Sequence, residues 1–189
     1  MKSYSVKELL SKQPVGDTVE VNGWVKTFRS NRFVALNDGS TINNLQCVVD
    51  FENLDDALLK QITTGAALKI SGTLVESQGR GQSVEILASK IFVHGAADPE
   101  TYPIQPKKHS LEFLREKAHL RVRTNTFSAV MRVRSAMAFA IHSYFQQNGF
   151  YYMHAPIITG SDAEGAGEMF RVSVLDAKNP PLDENGEVD

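Results

Sequence analysis

The sequence predicts a mainly β amino-terminal half closed into a five-stranded barrel, then a linker, then a segment of helix and strand. Three observations carry this. Apolar residues alternate with polar ones in short runs up to Val93, the two-residue period of half-buried strands. Pro99, Pro103 and Pro106 then punctuate the chain within a few residues. Beyond them the apolar period changes to three and four, the repeat of a helix with one buried face.

The elements follow in order. Ser5 and Glu8 stand in the Ser-x-x-Glu spacing of a capping box, so a short helix is expected from there to about Pro14. Val19, Val21, Gly23 and Val25 alternate with Glu20, Asn22, Trp24 and Lys26, which predicts the first strand. Phe33–Leu36 is the second, and Asn37-Asp38-Gly39-Ser40 is a strong turn signal after it. Leu45–Phe51 is the third strand. Leu54, Leu58 and Ile62 have helical spacing, with Gly65 as the stop. Ala67–Val75 and Ser83–Val93 are the last two strands, with the glycine-rich tip Ser77–Gln82 between them. Three strands, a short helix and two strands is the order of a five-stranded Greek-key OB barrel. An SH3-like barrel fits less well, because it has no helix between its third and fourth strands.

Residues 99–118 read as linker and hinge, which separates a domain at 1–98 from a second segment at 119–189. In that segment Asn125 or Thr126 caps a long helix, Phe127, Val130, Met131, Met137, Ile141, Tyr144 and Phe145 form its stripe, and Asn148-Gly149 ends it. Phe150–His154 is expected as a strand leading into Pro156.

Composition excludes several classes. The chain has 189 residues, an ordinary apolar share and one cysteine, Cys47. A single cysteine allows neither an intrachain disulfide nor a multi-cysteine zinc site, and a packed thiol on a strand in a cytoplasmic protein fits it. No apolar run is long enough to span a bilayer and no signal segment opens the chain. The net charge of −2 argues against a generic polyanion binder. Between Lys107 and Arg134, however, stand eight basic residues and only two acidic ones. Such a run either attracts anions or forms a solvated helix face with internal ion pairs, and charge alone leaves both open.

An OB barrel binds nucleic acid on the face of its second and third strands and their bordering loops. Phe33 and Gln46 lie on those strands. An exposed Phe stacks on an unpaired base for about 1–3 kcal/mol, and a Gln amide offers both a donor and an acceptor to a base edge. Arg29 suits a phosphate or a stacked base, and Glu85 suits a base amino or imino group. The plainer readings are a core Phe and solvated Gln and Glu.

The string Gly23-Trp24-Val25, Arg29, Phe33, Asn37-Asp38-Gly39-Ser40 and Leu45-Gln46 resembles the anticodon-binding domain of the aspartyl/asparaginyl branch of class II aminoacyl-tRNA synthetases. The resemblance implies that Phe33 stacks on an anticodon base, Gln46 reads the central uridine, Arg29 lies near the anticodon, and Glu85 reads a further anticodon base. Asn-Asp-Gly-Ser is the asparaginyl style of the turn, where aspartyl members usually carry Arg-Asp. The Phe33-to-Gln46 spacing has the asparaginyl length as well.

Downstream, His119–Asn125, Arg132–Ser135 and Gly149–Ile158 resemble motif 1 and the helix before it, so Gly149, Phe150 and Pro156 are implied at a homodimer interface. An internal core would carry the same apolar stripe. Ser161–Phe170 resembles the loop that closes over the bound amino acid, with Glu164 on the substrate ammonium and glycines that permit closure. Glu168 takes no role. The implied chemistry is ATP-dependent ligation of asparagine to its tRNA through an aminoacyl-adenylate, with Mg²⁺. Neither motif 2 nor motif 3 occurs in these residues, and the tail from Asn179 resembles the start of an insertion loop. The chain is therefore expected to be an amino-terminal fragment, inactive by itself, with no catalytic residue, bound cofactor or metal. Rival readings are an aspartyl or non-discriminating synthetase, a non-catalytic OB module for single-stranded RNA, and a dimerisation module.

Overall fold

A computed structural model describes residues 2–50, 55–79, 81–160, 170, 172–176 and 178–188. The chain falls into two compact units, Met1–Phe139 and Ala140–Asp189.

The first unit is built on six strands, β1 (Lys2–Tyr4), β2 (Thr18–Arg29), β3 (Phe33–Asn37), β4 (Leu45–Val48), β5 (Ala67–Glu76) and β6 (Val84–Gly95). Hydrogen bonding runs β2–β3–β4–β6–β5 and returns from β5 to β2, so five strands close the expected barrel. β4 and β6 pair in parallel, and the other barrel pairs are antiparallel. Alternation decides which residues face inward: Val19, Val21, Val34, Leu36, Leu45, Cys47, Leu68, Ile70, Leu74 and Ile86 are fully buried. Each large apolar side chain withdrawn from water in this way contributes about 1.5–3 kcal/mol.

The capping box forms as its spacing predicts. The Ser5 hydroxyl accepts from the Glu8 amide at 3.2 Å, the Ser5 amide donates to the Glu8 carboxylate at 3.0 Å, and α1 runs Val6–Lys12. Two elements come out shorter than expected. The third strand stops at Val48, and Phe51 and Leu54 lie outside the described residues. The predicted helix at Leu54–Ile62 is only α2, Asp56–Leu59, capped by Asp55. β1 has no counterpart in the sequence reading. Three residues show no period, and β1 exists because β2 offers a parallel edge at Val19–Val21.

The proline-containing segment packs against the barrel rather than standing free. Gly65 has φ +93°, and the Tyr102 ring occupies the space that a Cβ there would take. Ile104 is buried, as is Leu114 of α3 (Leu111–Glu116). A 3₁₀ turn at Arg121–Arg123 leads into α4 (Asn125–Gln147). The hydroxyl that meets the first turn of α4 belongs to Thr124, which accepts from the Phe127 amide at 3.3 Å.

In the second unit α4 ends as expected. Gly149 takes φ +83°, and the Phe150 amide donates to the Phe145 carbonyl at 3.0 Å. The expected strand at Phe150–His154 does not form. Its residues follow no ladder, because a strand needs a partner for its backbone groups and none stands beside it among the described residues. Phe150 instead meets Phe145 edge-on at 5.4 Å, and Tyr152 meets His142 at 5.0 Å.

Candidate nucleic-acid interface

The register of the barrel lays two rows of outward side chains across four strands. Arg29 on β2 pairs with Phe33 on β3, Phe33 with Val48 on β4, and Val48 with Leu87 on β6. The parallel row runs Thr27, Ala35, Gln46 and Glu85. All four sequence-predicted residues therefore share one patch, although more than fifty positions separate Arg29 from Glu85. Their flanking strand neighbours Val34, Leu45, Cys47, Val84 and Ile86 point into the core. A slip of one residue would bury the patch.

Phe33 is half-buried, with the Arg32 guanidinium 5.7 Å from its ring centroid. Arg29 is exposed. Gln46 donates from Nε2 to Glu85 Oε2 at 2.8 Å. A cavity of about 540 Å³ opens over this row, and Thr27, Arg29, Ala35, Gln46, Asn43, Asn44 and Gln82 are among its lining. The middle of its floor is Ala35, whose small side chain leaves room between Thr27 and Gln46. Three of the lining amides, Asn43, Asn44 and Gln82, were not singled out by the sequence reading. They sit in the β3–β4 and β5–β6 loops, and an amide in a loop carries no period to mark it.

The turn at 37–40 is held from both sides. The Asn37 amide donates to the Thr41 carbonyl at 3.1 Å and the Asn43 carbonyl at 2.8 Å, which shapes the loop that brings Asn43 and Asn44 to the cavity. Asp38 accepts from the Val6 amide at 2.9 Å, and the Ser40 hydroxyl accepts from the Lys7 amide at 3.0 Å, so the turn caps α1. Arg132 donates to the carbonyls of Gly39 and Ser40. The residues that mark the turn in sequence are thus those that make its contacts.

A larger cavity, about 1020 Å³, lies between the barrel and the 102–128 segment. Lys26, Lys107, Lys108 and Arg123 line it with His109 and His119, and among the described residues no Asp or Glu does. It shares Thr27 and Asn44 with the smaller cavity. Burial depresses the pKa of Lys26, and the charge of Arg123 depresses it further. Part of the basic run is thereby resolved: Lys107, Lys108 and Arg123 face this hollow, while Arg115 pairs with Glu112 at 3.6 Å. Long-range attraction for anions follows from such a lining.

Cys47 is fully buried under this face, and burial pushes its thiol pKa up, with the Glu85 charge adding to it. Glu164 and Glu168 lie outside the described residues. Phe150 is 59% exposed, and Gly149 and Pro156 are exposed. Among the described residues no group of three His, Cys, Asp or Glu is placed to hold a metal ion. No described helix is long and apolar enough to cross a membrane.

Comparison with known proteins agrees with this geometry. A family model described as an OB-fold nucleic acid binding domain, of the tRNA anti-codon type, matches residues 19–93. A second, tRNA synthetases class II (D, K and N), matches residues 110–180. Asparagine–tRNA ligase of Cytophaga hutchinsonii is 58% identical, covering all of this chain and 42% of that protein. The Porphyromonas gingivalis ligase is 55% identical over all of this chain and 41% of its own length. The chain thus spans about two fifths of the curated relatives it matches. Asparaginyl-tRNA synthetase of Pyrococcus horikoshii, solved with asparaginyl-adenylate, superposes with a TM-score of 0.76 at 21% identity, over 92% of this chain and 41% of that one. The Entamoeba histolytica enzyme superposes at 0.66 and 23%, over 77% and 36%; at these identities the likeness shows the fold. Two family models covering most of the chain, with identity that runs its full length, place it in the class II (D, K and N) tRNA synthetase family, with an OB-fold nucleic acid binding domain ahead of its synthetase segment.

Proposed function

We propose that the outer face of β2, β3, β4 and β6 binds the anticodon loop of a tRNA, and that the chain serves the ligation of asparagine to that tRNA. The observation that carries the reading is the register that sets Arg29 beside Phe33 and Gln46 beside Glu85 on one open face. Phe33 stacks on an unpaired base, the Gln46 amide meets a base edge, and Arg29 takes a phosphate or a second base. The cavity next to this face, lined by Lys26, Lys107, Lys108 and Arg123, draws the phosphate backbone toward it.

The relatives' names supply the amino acid. In a protein of their length, asparagine would be activated with ATP and transferred to tRNA through an adenylate, with Glu164 on the amino-acid ammonium. The groups that hold ATP and Mg²⁺ are not assigned to this chain, which is expected to form no adenylate by itself. Gly149, Phe150 and Pro156 would lie at a homodimer interface, and a cytoplasmic location suits the reading.

The test is binding to two anticodon stem-loops, with anticodons GUU and GUC, at fixed salt, beside Phe33→Ala. A preference for GUU weakened by Phe33→Ala supports the proposal. Equal binding of both favours an aspartyl or non-discriminating relative, and binding of neither removes the anticodon reading.

A further inference from the structure

The basic hollow between the barrel and the 102–128 segment lacks a counter-charge of its own. Among the described residues none of Lys26, Lys107, Lys108 and Arg123 pairs with a carboxylate: the ion pairs there join Lys12 to Glu8, Lys69 to Glu20 and Arg115 to Glu112. Two of these cations belong to one contact. The Lys26 ammonium donates to the Arg123 carbonyl, and the Arg123 guanidinium rests on the Trp24 ring. Both residues are half-buried, whereas Lys107 and Lys108 are exposed. Between Val25 and Thr27 the register of β2 slips against β3, and Lys26 is the residue left over. A bulge of this kind re-aims a side chain, here into the hollow.

A half-buried ammonium beside a guanidinium is poorly solvated and repelled, and the Lys26 pKa is lowered for those two reasons, burial first. An anion in the hollow relieves both at once. The space, about 1020 Å³, is of the size of small-molecule sites, about 300–1,000 Å³, and exceeds what a single phosphate fills. Several cations around it match phosphoryl groups that stand side by side, each taking charge-assisted hydrogen bonds. Tyr102, Ile104 and Val122 add an apolar wall, against which a nucleoside joined to those phosphates fits. A slender phosphate chain reaches the half-buried pair as well as the exposed one, whereas an RNA duplex meets only Lys107 and Lys108.

We infer that this hollow binds an oligophosphate, two or more phosphoryl groups in a row, with Lys26 and Arg123 at its floor and Lys107 and Lys108 at its rim. The phosphate chain arrives free or as the 5′ group of a nucleotide, and the chemistry that holds it is the same. The inference does not rest on the anticodon reading, but it bears on it. The hollow shares Thr27 and Asn44 with the cavity over the barrel face, so an oligophosphate seated there cancels positive charge beside that face.

The experiment is titration of this chain with tripolyphosphate, GTP and guanosine, without divalent metal and at about 0.1 M salt. Calorimetry reads it together with the fluorescence of Trp24, the only tryptophan of the chain and part of the hollow's lining. The expected result is saturable binding of tripolyphosphate at or below about 1 mM. Joint replacement Lys107→Gln and Lys108→Gln should weaken it about tenfold or more, and Lys26→Met should do the same. The exposed pair decides alone if Lys26→Met fails to fold. GTP binding tighter than tripolyphosphate, with guanosine silent, supports the inference and identifies a nucleotide as the source; equal binding of the two supports it with the inorganic chain. Guanosine binding as tightly as GTP overturns it, since the phosphates would then contribute nothing. So do binding that the lysine replacements leave unmoved and the failure of both phosphate ligands to bind.

Discussion

The guanidinium carbon of Arg123 lies 4.4 Å from the centroid of the Trp24 indole ring, joining the segment before α4 to the first barrel strand. Lys26, two residues on from Trp24, donates its ammonium to the Arg123 carbonyl. One residue is therefore gripped by side chain and backbone, and the 102–124 segment is seated on the barrel through it.

Arg123→Ala is expected to loosen that seat. A partly desolvated cation–π contact is worth about 1–2 kcal/mol, and Tyr102, Ile104 and Leu114 should lose part of their amide protection while the barrel strands keep theirs. Hydrogen exchange followed segment by segment checks this, and uniform protection in the variant would refute it.

Lys26 makes stability depend on alkaline pH. Its folded-state pKa lies below the usual 10.5, first through burial and then through the Arg123 charge. Between the two values the unfolded chain binds more protons, so stability rises with pH across that window and is flat below it. Lys26→Met should abolish the rise. Urea midpoints from neutral pH to about pH 10 give the slope directly, and equal slopes in both proteins would contradict the assignment.

Gly72 is needed for its lack of a side chain. A Cβ there would stand 2.0 Å from the Leu87 carbonyl oxygen, at the bulge where β5 shifts register against β6. Since the obstacle is backbone, Gly72→Ala should destabilise the barrel toward the upper end of the roughly 1–3 kcal/mol typical of overpacking. Gly95→Ala, where nothing lies within 4 Å, is the control and should stay near neutral. Denaturant midpoints compare the two.

Cys47 should report global unfolding. Its burial, and the thiol pKa raised chiefly by that burial, leave no thiolate for a reagent to meet in the native barrel. Labelling of the native chain should run slower than that of the unfolded chain by a factor on the order of 10³ or more. Rapid labelling without denaturant would mean that β4 opens by itself.

The barrel was legible because its strands carry a period of two that repeats five times, broken by turn residues such as Asn37–Ser40. Phe33, Gln46, Arg29 and Glu85 were named as candidates by a resemblance of spacing where chemistry alone leaves each ambiguous, and the register sets all four on one face. Asn43, Asn44, Gln82 and β1 were not, because loop amides have no period and a three-residue strand has no pattern until an edge receives it. The strand expected at Phe150–His154 failed for the converse reason: aromatic residues with strand propensity do not make a strand without a ladder.

By itself the sequence determined which residues face inward and where the turns fall, for these are local matters of period, cap and turn, and it named the side chains proposed for recognition. Tertiary structure alone decided that Glu85 spends its oxygen on Gln46, Ser77 and Gln82, and that Arg123 rests on Trp24. Those pairings follow from the closing of β6 onto β4 and the packing of a distant segment on β2. Contacts between residues far apart in sequence exist only once the strands that carry them have taken their register.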